Sequence, residues 1–184
     1  MKLVTRWLAV TIAMSILAVI EVRFVDYVAL DPSRVWRGQV WRLVTWPFVE
    51  LSPLSLILTC VAIYRFGGDL AYRWGERRLR RFAIEVVLAA GATTCVLALV
   101  FGHRVVRCGG LAVADALVIA WARQFPSAIL QFYGVLKLSG SQIVKLVVAT
   151  SIVYAIYIGP IAMAPELVAC IGAATYSTKR LSTL

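Results

Sequence analysis

The sequence predicts an all-α polytopic membrane protein folded as one domain over residues 1–184, and three observations lead to this prediction. Of the 184 residues, 61% are hydrophobic and only 15% are charged. The mean hydropathy is +0.86, whereas soluble domains are closer to half apolar and a quarter charged. The apolar residues also gather in six runs separated by polar or basic stretches, a pattern typical of membrane-spanning helices.

The distribution of charge favours a lipid bilayer as the partner rather than nucleic acid. The formal net charge is +10, but the basic residues lie between the apolar runs, where they suit anionic lipid headgroups. With six spans, the terminal segments and the second and fourth loops, counted with the adjoining span ends at Arg65 and Lys145, hold 13 of the 19 Lys and Arg. The positive-inside rule therefore places both termini in the cytoplasm. A small polytopic chain of this kind suits a bacterial inner membrane.

The first span is predicted at residues 7–22, and the loop after it is predicted to lie in the membrane interface. Asp31 followed by Pro32 is typical of a helix start. After it, Trp36 and Trp41 fall on one apolar face with two valines, which indicates a short interfacial helix. We expect the Trp side chains to anchor this helix at headgroup depth and Arg42 to point toward phosphate groups.

Five further spans follow, and two of them have unusual features. They are predicted at residues 44–66, 82–101, 109–122, 143–159 and 161–176. Prolines near the start of the second span indicate a bent entry that water can reach. The second span is expected to end in a basic loop over residues 73–81. The fourth span, at ~14 residues, is too short to cross lipid alone, so we expect a central helix shielded by the others.

The cysteines predict neither a metal site nor a cofactor. Cys60, Cys95, Cys108 and Cys170 are widely spaced, and three of them lie inside apolar runs. We interpret them as packing residues.

A motif near the second span resembles the rhomboid superfamily of intramembrane serine proteases and their inactive relatives. The matching residues are the Trp-Arg-Leu-x-Thr stretch of Trp41, Arg42, Leu43 and Thr45, and the glycines Gly67, Gly68 and Gly75. The resemblance is sharpest over residues 41–75 and continues as a pattern of spans. It implies a six-transmembrane-helix rhomboid-like bundle with an interfacial first loop.

The residues at the catalytic positions of that superfamily predict an inactive relative. Active members use a serine in Gly-x-Ser-Gly at the start of span four and a histidine in span six. Here Ala112 stands at the serine position and Glu166 at the histidine position. In span two, Glu50, Ser55 and Thr59 replace the His and Asn groups near the oxyanion. The resemblance therefore implies a serine protease homologue without catalytic residues.

The carboxylates in the apolar spans leave three interpretations open. Glu50, Asp115 and Glu166 come from spans two, four and six, near the cavity of the protease site. Each carboxylate could pair with a basic or hydroxyl group to stabilise the fold. Together with Ser55 and Thr59 they could instead line a vestigial pocket that recognises a polar or cationic feature of a client segment. The third interpretation is acid–base or metal chemistry by paired carboxylates.

Our leading hypothesis is a pseudoprotease, which is not an enzyme and binds transmembrane segments of client proteins. The alternative is a divergent intramembrane protease or a carboxylate-based membrane hydrolase. A small transporter or channel subunit is disfavoured, because the proline-rich second span has no counterpart in span five. The hypothesis names no particular client and no oligomeric state.

Overall fold

The computed structural model describes residues 2–102, 106–132, 136–158 and 160–178. The helices are α1 (Lys2–Ile20), α2 (Val22–Val28), α3 (Pro32–Val35), α4 (Arg42–Thr45), α5 (Pro53–Ala62), α6 (Gly68–Trp74), α7 (Glu76–Phe101), α8 (Leu111–Gln124), α9 (Gly140–Ile158) and α10 (Pro160–Thr178). Within the described residues, three helical segments are long and apolar enough to cross a membrane, namely Lys2–Ile20, Pro53–Trp74 and Glu76–Phe101. The prediction of an α-helical membrane protein is confirmed.

One small element is not helical. The connection between α8 and α9 forms an antiparallel hairpin of β1 (Ile129–Phe132) and β2 (Leu136–Ser139), with Ile129 opposite Ser139. This hairpin was not predicted, because a four-residue strand gives too short an alternation of apolar and polar residues to stand out in the sequence.

The predicted start of the interfacial helix is confirmed, but its length is not. Asp31 is the N-cap of α3 and accepts hydrogen bonds from the amide of Ser33 at 2.9 Å and from its hydroxyl at 2.7 Å, with Pro32 at the first helical position. The helix ends after one turn, because Gly38 has a φ of 96° that a continuing helix cannot accommodate. A second one-turn helix, α4, follows instead of one continuous interfacial helix.

Arg42 does not point toward lipid phosphate, which corrects the sequence prediction. Arg42 is only 1% exposed. The guanidinium donates from Nε to Gln39 Oε1, from Nη1 to the Ala29 carbonyl and from Nη2 to the Asp26 carbonyl, each at 2.7 Å. Arg42 therefore ties the first loop together, because all of its bonds go to that loop. Trp41 beside it is half-exposed and stacks on Tyr27, with 5.6 Å between ring centroids.

The second span begins later and ends later than the predicted residues 44–66. Pro47 lies in a 3₁₀ turn over Trp46–Phe48, and the chain is extended at Val49 before α5 starts with Pro53 at its first position. Proline fixes φ and lacks an amide hydrogen, so each of these prolines starts a helical segment and does not continue one.

The second span was expected to end at residue 66 and to lead into a basic loop over residues 73–81, and both positions are wrong. A π turn over Ile63–Gly67 joins α5 to α6, so Gly67 and Gly68 lie inside a continuous helical segment. The segment ends at Gly75, whose φ of 82° and ψ of 151° form a conformation that favours glycine. Arginines on both sides of Gly75 are therefore helical, in α6 and at the start of α7.

The π turn presents its side chains to α8. The Phe66 ring meets the Trp121 ring edge-on at 5.2 Å. The indole Nε1 of Trp121 donates to Asp69 Oδ2 at 2.8 Å. This contact fixes the end of the second span against the end of α8.

The core is built around α8. Its buried side chains include Ala116, Leu117 and Ala120, each 0% exposed. Small residues Ala169 and Ala173 of α10 are also buried and belong to the same apolar cluster, which lets helix backbones approach closely. The burial of α8 agrees with the expectation of a central helix shielded by the others.

Candidate functional site

The Glu50 carboxylate forms a buried hydrogen-bonded cluster. Glu50 lies in the extended stretch before α5 and is 4% exposed. Its Oε1 accepts hydrogen bonds from the Thr59 hydroxyl and from the Gly110 amide, both at 2.7 Å. Its Oε2 accepts a short hydrogen bond from the Ser55 hydroxyl. The carboxylate thus joins α5 to the start of α8 and has a donor on each oxygen.

Two glycines allow this close approach. Gly109 has a φ of 116°, and its amide donates to the Trp46 carbonyl at 3.1 Å. A Cβ on Gly110 would lie 2.9 Å from the Pro47 carbonyl oxygen and 2.9 Å from Thr59 Cγ2. Because side-chain carbons do not approach other atoms so closely, the backbone needs glycine at position 110.

Ala112 lies in the first turn of α8, two residues after the Glu50 cluster reaches Gly110. It is 1% exposed and belongs to the apolar core. Its methyl group occupies the position where the family resemblance expects a serine hydroxyl. A methyl group cannot attack a peptide carbonyl, so this position contributes packing only.

Glu166 pairs with a residue from a distant part of the chain. Arg107 Nη1 lies 2.5 Å from Glu166 Oε1, and the two side chains are 15% and 14% exposed. Arg107 also forms an isolated antiparallel bridge with Leu30, with amide-to-carbonyl distances of 2.9 and 3.0 Å. Glu166 Oε2 is buried and has no hydrogen-bond partner among the described residues. The pair therefore ties α10 to the first loop.

Asp115 has a different environment from the other two carboxylates. It lines a groove of about 740 Å³ whose walls come from α1, α5, the π turn and α8. Apolar side chains make up most of the lining, including Leu58, Val61 and Leu111, which are 54%, 51% and 47% exposed. Among the residues that the structure describes, no hydrogen bond or ion pair reaches the Asp115 carboxylate. The groove thus holds an unpartnered carboxylate among mostly apolar side chains; Arg65 also lines it and is paired with Asp69.

The single pocket predicted from the sequence is divided into three places. Glu50, Ser55 and Thr59 come together as expected. Glu166 is engaged by Arg107, and Asp115 lines the groove, although the two carboxylates are close enough for their charges to interact. For Glu50 and Glu166, the structure favours the interpretation that the carboxylates stabilise the fold.

Sequence reasoning missed two residues of these clusters, Gly110 and Arg107. The consecutive glycines at the start of α8 were a local signal for close backbone approach. Arg107 gave a weaker signal, a cation in a loop with no carboxylate nearby in the sequence.

Over the described part of the chain, no group of three or more His, Cys, Asp or Glu side chains is placed to hold a metal ion. The expectation of no metal site stays a prediction. The single histidine, His103, lies outside the described residues.

Comparison with known proteins identifies the family. Residues 5–177 match the family described as "Eukaryotic integral membrane protein (DUF1751)". No curated protein matches the chain in sequence. The expectation of a bacterial inner membrane is wrong, because the family is eukaryotic; hydropathy and loop charge report a membrane but not the organism. The match covers most of the chain, so the protein belongs to the DUF1751 family of eukaryotic integral membrane proteins.

Proposed function

We propose that the protein is a non-proteolytic, rhomboid-like membrane protein that binds transmembrane segments of client proteins in the groove lined by Asp115. In this proposal the six spans are α1, the α5–α6 segment, α7, α8, α9 and α10. The observation that carries it is an unpartnered carboxylate in an apolar groove.

The chemistry of the groove favours a helix with a polar or cationic residue. Leu58, Val61 and Leu111 are apolar and exposed, as expected for a surface that faces lipid or another helix. An ionised carboxylate in hydrocarbon costs several kcal/mol unless it is paired or hydrated. A client helix that brings a Lys, Arg or amide group to Asp115 would remove that cost, whereas a purely apolar helix would not.

The contacts at the positions that correspond to the rhomboid catalytic residues support a role without proteolysis. Ala112 offers a methyl group in place of a nucleophile. Glu166 is paired with Arg107 at 2.5 Å and is therefore already engaged by a cation at the position where a rhomboid protease has its base. The oxygens of Glu50 already accept three hydrogen bonds. The residues at these positions therefore stabilise the fold.

The short central helix supports easy lateral approach of clients. The 14 residues of α8 span about 21 Å at the usual rise per residue, against ~30 Å for a typical hydrocarbon core. Where α8 is exposed along the groove, as at Leu111, a mismatch of this size is relieved by local thinning of the bilayer. Thinner lipid lowers the cost for a client helix that contains polar residues.

The proposal can be tested by site-specific crosslinking in lipid nanodiscs. A photoreactive benzoylphenylalanine replaces Leu111 at the edge of the groove, and the probes are two synthetic 20-residue leucine–alanine helices (a length chosen to span the bilayer). One probe carries a central lysine and the other a central leucine. We expect about 3- to 30-fold more crosslinking with the lysine helix, from the ~0.6–2 kcal/mol of a polar contact in a membrane.

Asp115→Asn should abolish the difference between the two probes. The matched control is Glu85→Gln, which neutralises an exposed carboxylate of α7 that has no ion pair among the described residues. This control should leave the difference intact. Equal crosslinking of both helices to the unsubstituted protein would contradict the proposal.

One contact gives a reason to test the alternative, a divergent membrane hydrolase. The Ser55 hydroxyl lies against the Glu50 carboxylate, and a carboxylate can activate a hydroxyl. A fluorophosphonate probe for serine hydrolases, with an active rhomboid protease as positive control, distinguishes the two functions. Labelling that disappears in Ser55→Ala would establish the hydrolase, whereas no labelling supports the client-binding protein.

A further inference from the structure

Three arginines and two aromatic rings surround a cavity at the junction of α6, α7 and α10. The cavity has a volume of about 340 Å³ and is lined by Trp74, Arg77, Arg78, Arg81 and Tyr176. All three arginines belong to the first two turns of α7 and are exposed. The backbone dipole of this long helix adds partial positive charge at the same end.

The arginines of this cavity have no acidic partner in the described part of the chain. Neither a salt bridge nor a side-chain hydrogen bond from Arg77, Arg78 or Arg81 occurs among the described residues. Glu85, one turn after Arg81 on α7, forms no ion pair with it among the described residues. No acidic side chain of the described residues therefore neutralises the three guanidinium groups beside this cavity.

The aromatic wall of the cavity is rigid. Trp74 and Tyr176 lie with their ring centroids 5.8 Å apart, and each also packs against the buried ring of Phe82, at 5.4 and 5.2 Å. Phe82 is 1% exposed. Because Phe82 fixes both rings, the shape of the cavity does not depend on flexible surface side chains alone. Trp and Tyr are also the residues that prefer the depth of lipid headgroups.

We propose that this cavity, which we call the arginine site, binds a phosphomonoester group presented by a membrane lipid. A phosphomonoester carries about −1.5 to −2 charge and three strong acceptor oxygens, which matches three guanidinium groups. Guanidinium also recognises phosphate with two parallel hydrogen bonds, which gives it preference over a point charge. A phosphodiester headgroup offers only two free oxygens and one charge, so it fits the site less well.

The site is separate from the client groove. The arginine site lies where α6, α7 and α10 meet, whereas the groove of Asp115 is lined by α1, α5, the π turn and α8. The proposal therefore does not depend on the function proposed above, and either can fail without the other.

Native mass spectrometry of the detergent-solubilised full chain tests the proposal. The probes are dioleoyl phosphatidic acid, a phosphomonoester lipid, and dioleoyl phosphatidylserine, a phosphodiester lipid. We expect tighter binding of phosphatidic acid by about 10-fold or more. The double variant Arg77→Gln/Arg81→Gln should lose about 10- to 30-fold in affinity for phosphatidic acid, since it removes two of the three guanidinium groups that would make charge-assisted hydrogen bonds to the phosphate.

The matched control is Arg80→Gln, which removes an arginine of the same helical turn. Arg80 lines a different groove, with Arg6 and Trp7 of α1, so its loss should change the affinity less than 2-fold. An equal loss with Arg80→Gln would mean that only the general surface charge attracts the lipid, and it would overturn the proposal.

Two further arms identify the source of the phosphate and the need for arginine. Inorganic phosphate at millimolar concentration should leave phosphatidic acid bound; displacement by phosphate alone would overturn the lipid as the source.

Arg77→Lys/Arg81→Lys keeps the charge but loses the bidentate geometry, and should reduce the preference for phosphatidic acid over phosphatidylserine. An unchanged preference would contradict recognition by guanidinium. Melting curves of each variant in the same detergent show that it is folded.

Discussion

Replacing Glu50 by alanine removes the acceptor that three donors share at the junction of α5 and α8. The Thr59 hydroxyl and the Gly110 amide, both buried, would lose the Glu50 Oε1 atom to which they donate at 2.7 Å. Each buried donor left without a partner costs about 1–3 kcal/mol. The half-buried Ser55 hydroxyl can turn to water and adds little. We therefore expect Glu50→Ala to lower the free energy of unfolding by about 2–6 kcal/mol.

Glu50→Gln gives a sharper version of the same prediction. Because both buried donors bond to Oε1, a glutamine that keeps its carbonyl oxygen at that position retains both bonds. Its amide would face Ser55, whose hydroxyl can accept instead of donate. We expect a loss of only about 1 kcal/mol, the contribution of an ordinary hydrogen bond.

The assay is unfolding of the purified full chain from dodecyl maltoside micelles into increasing SDS, followed by tryptophan fluorescence. Glu85→Gln, on the exposed face of α7, is the matched control and should unfold as the unsubstituted protein does. The reasoning is refuted if Glu50→Ala lies within about 0.5 kcal/mol of the control, the range of ordinary surface substitutions. It is equally refuted if glutamine costs as much as alanine.

Three other predictions use the same assay. Arg42→Lys keeps the charge but cannot make the three hydrogen bonds of the guanidinium, so it should cost about 2 kcal/mol or more; an unchanged unfolding curve would contradict this. Arg107→Gln leaves Glu166 buried without its cation and should cost about 3–5 kcal/mol, while Arg107→Gln/Glu166→Gln should recover part of that loss; no recovery would argue against a direct pair. Burial raises the pKa of Asp31, but its hydrogen bonds from Ser33 and Arg34, together with the charge of Arg34, outweigh this and leave the pKa below its ordinary value of 3.8. Its contribution to stability is therefore fully present above that value and is lost as the pH falls below it. Asp31→Asn should make the unfolding curve less dependent on pH in this range, and an equal dependence would contradict the prediction.

Local signals in the sequence predicted the local structure well. Asp31 and Pro32 marked the start of α3 correctly, because a cap and a proline act within one turn. Pro53 marks the true start of α5, but hydropathy alone extended the span back to residue 44, since apolar residues of a loop and of a helix look alike in composition. The same ambiguity left Gly67 and Gly68 outside the helix that contains them.

Contacts between distant residues could not be predicted from the sequence. Glu50 meets Gly110 across 60 positions, and Arg107 meets Glu166 across 59. Arg42 was expected at the lipid surface because arginine beside tryptophan is common there. Two of its acceptors are backbone carbonyls 13 and 16 residues earlier. Every residue has a backbone carbonyl, so the sequence does not indicate which ones Arg42 will reach.

The π turn of the second span also sets the rotational phase of everything that follows it. A turn of this kind takes up one more residue than an α-helical turn, and each residue of an α-helix rotates the next by ~100°. Deleting one residue from Ile63–Gly67 would therefore swing Asp69 away from the Trp121 indole that now donates to it at 2.8 Å. The number of residues in this turn, more than their identity, aims α6 at the central helix.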